Sequence, residues 1–234
     1  MQIGKGAHAS FVLWSNNAAF GNKVFTDEKK CEEERSKFME LIACGVPLLP
    51  PIVLPWPAKK SIAMMRMDMT LERAIRDRIL TDRILQKIIY EVTRMLMDLS
   101  IRRRKLMMDM HLGNILLKFA SDKHAGMPRV YLNDPGFMHD FSKPDVLPSH
   151  VRNCKFDPRY DLAFFSYSVI GYMRMLRYAT LPITPLSERE LIPYQKYIGP
   201  PHHWDMAVGQ YKYQPNATLS NEYIAKNSKR RKVL

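Results

Sequence analysis

Apolar residues recur every three or four positions in three segments of the chain, which is the spacing of one face of an α-helix. The clearest segment is residues 81–100, where Thr81 or Asp82 can cap the start of the helix. Its apolar positions are Ile84, Leu85, Ile88, Ile89, Val92, Leu96 and Leu99. The other two predicted helices cover residues 27–43 and a strongly apolar stretch from residue 157 to about residue 176. Each helix therefore has an apolar face to bury.

Short apolar runs bounded by turn residues predict the strands. Residues 20–25 and 61–67 form two of them, and residues 115–117 and 129–132 form a hairpin across a polar turn that contains glycine. A further hairpin is predicted over residues 3–12, where glycines permit a tight turn. In the hairpin of residues 115–117 and 129–132, we expect the residue just before the first strand and the residues just after the second strand to lie side by side.

Composition indicates a globular protein, because 46% of the 234 residues are hydrophobic and only ten are glycine. The three cysteines, Cys31, Cys44 and Cys154, are odd in number and widely spaced, which supports neither a disulfide framework nor a zinc site. We therefore expect an intracellular, reducing compartment. No apolar run reaches the roughly 18 to 20 residues that span a bilayer, and the N-terminus lacks the pattern of a signal peptide, so no membrane partner is expected.

A formal net charge of +13 makes the positions of the basic residues informative about partners. One basic cluster covers residues 102–105, and it is either solvated charge or a site that attracts an acidic substrate. The second cluster consists of Lys229, Arg230, Arg231 and Lys232 near the C-terminus. It is either a solvated tail or a contact for nucleic acid or for nuclear import. The sequence leaves both alternatives open for each cluster.

Two short polar segments carry candidate chemistry. Residues 107–117 read MMDMHLGNILL and place Asp109 and Asn114 on a loop before an apolar strand. Residues 132–137 read LNDPGF and place Asp134 after a second strand. Phosphoryl transfer needs one carboxylate to orient or accept the proton of the attacking hydroxyl, and an amide oxygen and a second carboxylate to hold Mg²⁺. These two segments therefore indicate a phosphotransferase.

The order of the polar segments resembles that of the protein kinase superfamily over residues 1 to about 180. A glycine-containing hairpin opens the chain, and a strand lysine, Lys23, and a helix glutamate, Glu34, follow it. The resemblance implies an α+β fold of two lobes, with a small β-rich N-lobe over residues 1–69 and a reduced, mainly helical C-lobe over residues 70–225. Residues 226–234 would form a basic tail. ATP and Mg²⁺ are the implied cofactors.

The resemblance also implies roles for single residues of the two polar segments. Asp109 takes the position of the catalytic base, and Asn114 and Asp134 take the positions of the metal ligands. Asp161, at the start of the last predicted helix, resembles a buried kinase aspartate that accepts backbone N–H groups of the catalytic loop. An ordinary helix N-cap is the alternative for Asp161.

Other implied positions concern the nucleotide. Lys23 takes the position of the lysine that contacts the phosphates, and Glu34 is the first choice for its carboxylate partner. The rival carboxylates are Glu32, Glu33 and Glu40. The remaining implied contacts are Gly4, Gly6 and Val12 in the N-terminal hairpin, and Asp68 at a ribose hydroxyl.

The chain departs from the kinase pattern in several places. Met107 and Met108 replace the usual His-Arg pair, so the arginine that would bind a phosphorylated activation loop is missing. The segment between Asp134 and Asp161 is short, which implies a reduced activation segment and constitutive activity. His111 occupies a position where Ser/Thr kinases usually have lysine. The pattern Asp-x-His-x-Gly-Asn over residues 109–114 resembles that of aminoglycoside phosphotransferases.

The first functional hypothesis is a minimal, constitutively active Ser/Thr protein kinase that transfers the γ-phosphate of ATP to a protein hydroxyl. Kinases of this size resemble those that viruses and other pathogens deploy, so we expect a monomer acting on a protein substrate in a host cytoplasm or nucleus. A small-molecule kinase of the aminoglycoside phosphotransferase type is one alternative. A pseudokinase or a nucleic-acid-associated interaction protein is the other.

Overall fold

The computed structural model describes residues 2–5, 9–44, 50–54, 58–120, 126–147, 156–194, 204–205 and 210–211. Within them the chain combines antiparallel sheets with helices. Gly6 and the whole predicted tail of residues 226–234, with the basic cluster of residues 229–232, lie outside the described residues. In the described part of the chain, no helix has the combination of length and apolar composition that crossing a membrane requires.

The strands are β1 (Gln2–Lys5), β2 (Ala9–Leu13), β3 (Phe20–Phe25), β4 (Ser61–Met65), β5 (Met69–Thr70), β6 (Lys105–Leu106), β7 (Ile115–Lys118), β8 (Arg129–Leu132), β9 (His139–Asp140), β10 (Trp204–Asp205) and β11 (Gln210–Tyr211). The α-helices are α1 (Glu28–Ala43), α2 (Leu71–Arg76), α3 (Asp82–Met97), α4 (Tyr160–Met175) and α5 (Glu188–Leu191). The predicted helices of residues 27–43, 81–100 and 157–176 correspond to α1, α3 and α4, although α3 ends earlier and continues as a π-helical turn, Asp98–Arg102.

The chain divides into two compact units. The first unit contains Met1–Ile84 and Leu112–Met138, and the second contains Leu85–His111 and His139–Leu234. This division differs from the predicted boundary at residue 69. Residues 112–138 belong with the first unit because β7, the central strand of the sheet β5-β7-β8, pairs with β5.

The first unit is built on the antiparallel sheet β1-β2-β3-β4. Strand β3 pairs with β2 and β4 in a register that sets Lys23 between Phe11 and Ile62. Gly21 of β3 is required by this packing, since a Cβ atom there would lie 2.6 Å from the Val12 carbonyl oxygen and 2.7 Å from the Phe11 ring. The sequence-predicted N-terminal hairpin is present as the antiparallel pair β1-β2.

Helix α1 begins after Asp27, whose carboxylate accepts the backbone N–H groups of Lys29 and Lys30. Its buried face consists of Cys31, Glu34, Phe38 and Leu41. Arg35 donates a hydrogen bond of 2.6 Å to the Ser61 carbonyl oxygen, which fixes the helix to the start of β4. A carboxylate on an otherwise apolar face needs a cationic partner, so the helix pattern singles out Glu34 from the other acids of α1.

The second unit contains most of α3 and all of α4, and both helices bury apolar residues. The buried residues of α3 within this unit are Leu85, Ile88, Ile89, Val92, Met95 and Leu96. Helix α4 is buried over most of its surface, and α5 starts with a capping box between Ser187 and Glu190. Strand β6, which leads into Asp109, pairs with β9, so that Lys105 lies opposite Asp140.

Lys105 and Asp140 form a buried ion pair, with 2.6 Å between Lys105 Nζ and Asp140 Oδ2. Ser142 donates from its backbone N–H and its hydroxyl to the other carboxylate oxygen, so the buried charge is well satisfied. Arg102 and Arg103 of the same basic cluster donate to Asp98. Lys105 is therefore neither solvated nor available to a substrate, because the β6-β9 pairing turns it toward Asp140.

Replacing Lys105 by Met should lower the free energy of unfolding by about 3–5 kcal/mol, because it leaves the Asp140 carboxylate buried without its charge partner. Lys143→Met is the matched control, since Lys143 Nζ lies 3.7 Å from the same carboxylate but its side chain is 62% exposed. It should cost less than about 1 kcal/mol. Urea unfolding followed by circular dichroism measures both, and equal losses would contradict the assigned role of the buried pair.

Candidate active site

Lys23 and Glu34 join the first sheet to helix α1. Lys23 Nζ lies 2.7 Å from Glu34 Oε1, and the two side chains are only 14% and 6% exposed. Glu32 and Glu33 are exposed. The helix places Glu34 between Cys31 and Phe38 on its buried face, so this carboxylate and not its neighbours reaches β3. The predicted pairing is present, while the predicted role in nucleotide binding stays a prediction.

Asp134 completes a three-residue cluster with this pair. Its Oδ2 lies 3.4 Å from Lys23 Nζ, and its side chain is 38% exposed, so one carboxylate of the cluster is accessible. The Asp134 backbone is in the left-handed region, with φ 56° and ψ 67°, directly before a 3-10 turn over Pro135–Phe137. A non-glycine residue in that region is strained, and such strain concentrates at functional sites.

Gly136 lies close to the Asp134 carboxylate. A Cβ atom at this position would lie 3.1 Å from Asp134 Oδ1 and 4.0 Å from Glu34 Oε2. A side chain at residue 136 would therefore press on Asp134. Glycine at position 136 avoids a shift of a few tenths of an ångström in the Asp134 carboxylate.

Burial and neighbouring charges act in opposite directions on the ionisable groups of the cluster. Burial raises the pKa of Glu34 to about 7, and the negative charge of Asp134 adds to this effect while Lys23 opposes it. Burial lowers the pKa of Lys23, but Asp134 and Glu34 outweigh it, so the Lys23 pKa is raised overall. The ammonium group of Lys37, one turn further along α1, also opposes the rise of the Glu34 pKa, so the two carboxylates are surrounded by two ammonium groups.

Asn114 and Asp134 leave the same end of the β7-β8 hairpin. Ile115 pairs with Leu132, and one position beyond, the Asn133 N–H donates to the Asn114 carbonyl oxygen at 2.8 Å. Asn114 thus lies opposite the residue before Asp134. The expected meeting of the two segments at one edge is present in the backbone.

The donor set fits magnesium better than a transition metal. Among the described residues there is no group of three or more His, Cys, Asp or Glu side chains that could hold a metal ion. Mg²⁺ is usually held by one or two carboxylates together with waters and substrate phosphates, and Asp134 and Asn114 supply a carboxylate and an amide oxygen. The neighbouring Asn133 Oδ1 is buried and has no hydrogen-bond partner, so this end of the hairpin retains an unused acceptor.

Gly4, Val12 and Asp68 were also predicted to contact the nucleotide, and the structure describes the surroundings of all three. Gly4 lies in β1 opposite Phe11, and Val12 lies in β2 opposite Asn22. The carboxylate of Asp68 accepts from Lys118 Nζ and from the Phe119 N–H, both at 2.8 Å. Asp68 therefore fixes the end of β7, and a ribose hydroxyl would have to share its oxygens. The nucleotide contacts of these residues stay predictions.

Asp109 lies in the second unit on a loop that Asp161 supports. Asp161 is completely buried in the first turn of α4, and its two oxygens accept the N–H groups of Met107 at 2.6 Å and Met108 at 2.9 Å. The expected backbone anchor is therefore confirmed, and the N-cap alternative is wrong because α4 starts after Arg159. Met108 has a positive φ of 65°, so the anchored turn is strained directly before Asp109.

His111 lies beside the candidate base. Its backbone N–H donates to the Asp109 carbonyl oxygen at 3.1 Å, and its Nε2 lies 3.8 Å from Asp109 Oδ2. A protonated imidazole at this distance attracts the carboxylate. Asp109 itself is buried, with 6% of its surface exposed.

Lys37 was not predicted from the sequence. It lies one helical turn after Glu34, and its Nζ donates to the Gly136 carbonyl oxygen. Burial lowers the pKa of Lys37, and the surrounding carboxylates, Glu33 and Glu34 first, oppose that shift. The sequence feature that could have indicated Lys37 is its position three residues after Glu34, because this spacing puts both residues on one side of α1.

Comparisons with known proteins do not assign the chain to a family. No protein-family model matches the chain, and no curated protein matches it significantly. A solved structure described as "WaaP in complex with acyl carrier protein" aligns with 98% of this chain and 87% of that chain, at 14% sequence identity and a TM-score of 0.44. Similarity of this degree does not establish a fold or an activity for this chain.

The buried Asp161 carboxyl should give stability a measurable pH dependence. Burial, together with the charge of Asp109, raises its pKa from 3.8 to about 7, although the two N–H donors oppose this. Between these values the folded state keeps a proton that the unfolded state releases, so stability falls as pH rises, by at most about 1.4 kcal/mol per pH unit, and levels off above about pH 7.

Asp161→Asn should remove this part of the slope and lower stability, because its amide nitrogen cannot accept the second N–H. Urea unfolding at several pH values from 4 to 8 measures the difference between the parent chain and the variant. Glu32→Gln, on the exposed side of α1, controls for the loss of one negative charge. A difference between parent and Asp161→Asn that does not change with pH would refute the assignment.

Proposed function

We propose that the chain is an ATP-dependent phosphotransferase of the protein-kinase-like type. The observation that carries this proposal is the cluster of Lys23, Glu34 and Asp134. A strand, a helix and a turn that are distant in the sequence bring together one ammonium group and two carboxylates, one of them accessible. The three residue types are those that hold nucleotide phosphates and their metal in kinases.

Each residue of the first unit has a distinct task in this proposal. Lys23 binds the phosphates, and Glu34 fixes the position of the Lys23 ammonium group in a desolvated setting. Asp134 and Asn114 hold Mg²⁺, which when bound neutralises phosphate charge. The accessible Asp134 carboxylate supports the metal-binding part of the proposal, because its side chain is 38% exposed.

Asp109 of the second unit is the proposed base that orients or accepts the proton of the acceptor hydroxyl. The Asp161 carboxylate holds the backbone just before it, so Asp109 is presented by a supported turn. Met108 offers no cation for a phosphorylated loop, and the buried pair of Lys105 and Asp140 instead joins β6 to β9. Constitutive activity, without activation by phosphorylation, follows from this arrangement.

The proposal also concerns the molecule that accepts the phosphoryl group. We favour a serine or threonine hydroxyl of a protein, because a net charge of +13 disfavours cationic small molecules such as aminoglycosides. His111 beside Asp109 supports the second candidate, a small-molecule kinase, since its position resembles that of phosphotransferases with such substrates. A host-cell location and a nucleic-acid or import contact through residues 229–232 are proposals from the sequence alone.

Glu34→Gln should weaken binding of a fluorescent ATP analogue in the presence of Mg²⁺ by about ten- to hundredfold, because the Lys23 ammonium group loses a charge-assisted hydrogen bond. Glu32→Gln, at an exposed position of the same helix, is the matched control and should bind as the parent chain does. Fluorescence anisotropy titration measures both affinities. Equal affinities in the two variants would remove Glu34 from the site.

Transfer of labelled γ-phosphate from ATP tests the activity itself, with generic proteins, the chain itself and a panel of aminoglycosides as acceptors. Asp109→Ala should lower transfer by about two to four orders of magnitude while nucleotide binding persists. Asp134→Ala should abolish Mg²⁺-dependent nucleotide binding. Label on proteins supports the protein kinase, and label on an aminoglycoside supports the second candidate. Nucleotide binding without transfer to any acceptor would favour a pseudokinase.

A further inference from the structure

The contact between Lys37 and Gly136 links two elements that carry the proposed site. Helix α1 presents Glu34 and Lys37 on one side, three positions apart. Glu34 reaches Lys23, while Lys37 Nζ donates to the carbonyl oxygen of Gly136, two residues after Asp134. The same helix therefore contacts both the phosphate-binding lysine and the turn that follows the metal ligand.

The turn at Asp134 needs an external support. Asp134 is in the left-handed region, which residues with side chains rarely occupy unless the surrounding structure holds them there. Within the turn, the described backbone hydrogen bond runs from the Met138 N–H to the Pro135 carbonyl oxygen at 2.8 Å. The Gly136 carbonyl oxygen accepts from Lys37 Nζ, so this contact ties the turn to α1.

We propose that Lys37 is a positioning residue, which holds the Asp134-Pro135-Gly136 turn against α1 and so keeps Asp134 in its metal-binding geometry. The proposal rests on the proposed phosphotransferase function for its metal-binding part. Gly136 follows Asp134 by two residues, and a Cβ atom at Gly136 would lie 3.1 Å from Asp134 Oδ1, so we expect a displacement of Gly136 to move the metal ligand. Without the Lys37 contact, Asp134 leaves its strained backbone conformation more often, and more Mg²⁺ is needed to bind the nucleotide.

Hydrogen exchange of the nucleotide-free protein tests the mechanical part. Lys37→Met removes the donor but keeps the length of the side chain, and it should speed exchange of the Met138 amide about tenfold. Lys29→Met, at an exposed position near the start of α1, is the matched control and should leave that amide unchanged. Lys37→Arg keeps a cationic donor and should restore slow exchange. Unchanged exchange in Lys37→Met would overturn the proposal.

Magnesium titration of nucleotide binding tests the functional part. In Lys37→Met, the Mg²⁺ concentration for half-maximal binding of a fluorescent ATP analogue should rise about tenfold, the effect of losing one charge-assisted hydrogen bond. Nucleotide affinity at saturating Mg²⁺ should change less than twofold, a separation that general loss of structure would not produce. Faster exchange with an unchanged Mg²⁺ midpoint would overturn the positioning of Asp134 by Lys37.

The two measurements separate the failure of this proposal from the failure of the proposed function. If the parent chain shows no Mg²⁺-dependent nucleotide binding, the phosphotransferase assignment fails, and the exchange data still decide whether Lys37 holds the turn. If the parent chain binds Mg²⁺ and nucleotide and Lys37→Met behaves as Lys29→Met does in both assays, the phosphotransferase assignment stands and the role of Lys37 is wrong.

Discussion

The structure of the first unit depends on the burial of the Lys23 ammonium group between strand and helix. An unpaired charge in such a place would be strongly destabilising, so the chain must supply carboxylates close to it. Glu34 meets this requirement from α1 and Asp134 meets it from the turn after β8. Pairing of this one buried ammonium group therefore fixes the helix, the sheet and the turn with respect to one another. It leaves the Asp134 carboxylate accessible for a ligand.

The second unit uses a buried carboxylate for a different purpose. Asp161 has no ammonium partner in its described contacts and instead binds two successive backbone N–H groups before Asp109. Full burial makes its negative charge costly, while the N–H donors favour it, so these opposing effects place its pKa near neutrality. The carboxylate at Asp161 shapes a strained backbone, whereas those at Glu34 and Asp134 surround a cation.

Local patterns predicted the main helices, the two hairpins and the choice of Glu34, because helical spacing puts that residue on an apolar face. They did not predict the contact of Lys37 with Gly136 or the pairing of Lys105 with Asp140. Both contacts join positions that are far apart in the sequence, and each lysine lies among other charged residues that look solvated in the sequence. The division into units differed for the same reason, since it depends on which strands pair and not on chain order.

The π-helical turn between α3 and β6 has a consequence for how the gene can vary. Such a turn holds one residue more than the α-helical turn that it replaces. Loss of one codon within it would therefore restore an ordinary α-helical turn and leave the direction of the following strand unchanged. Ile101 is 58% exposed, so substitutions there meet little steric resistance, whereas Leu99 and Ser100 are buried. We therefore expect natural relatives of this chain to tolerate a one-residue change in length at this turn and to vary in sequence at residue 101 more than at residues 99 and 100.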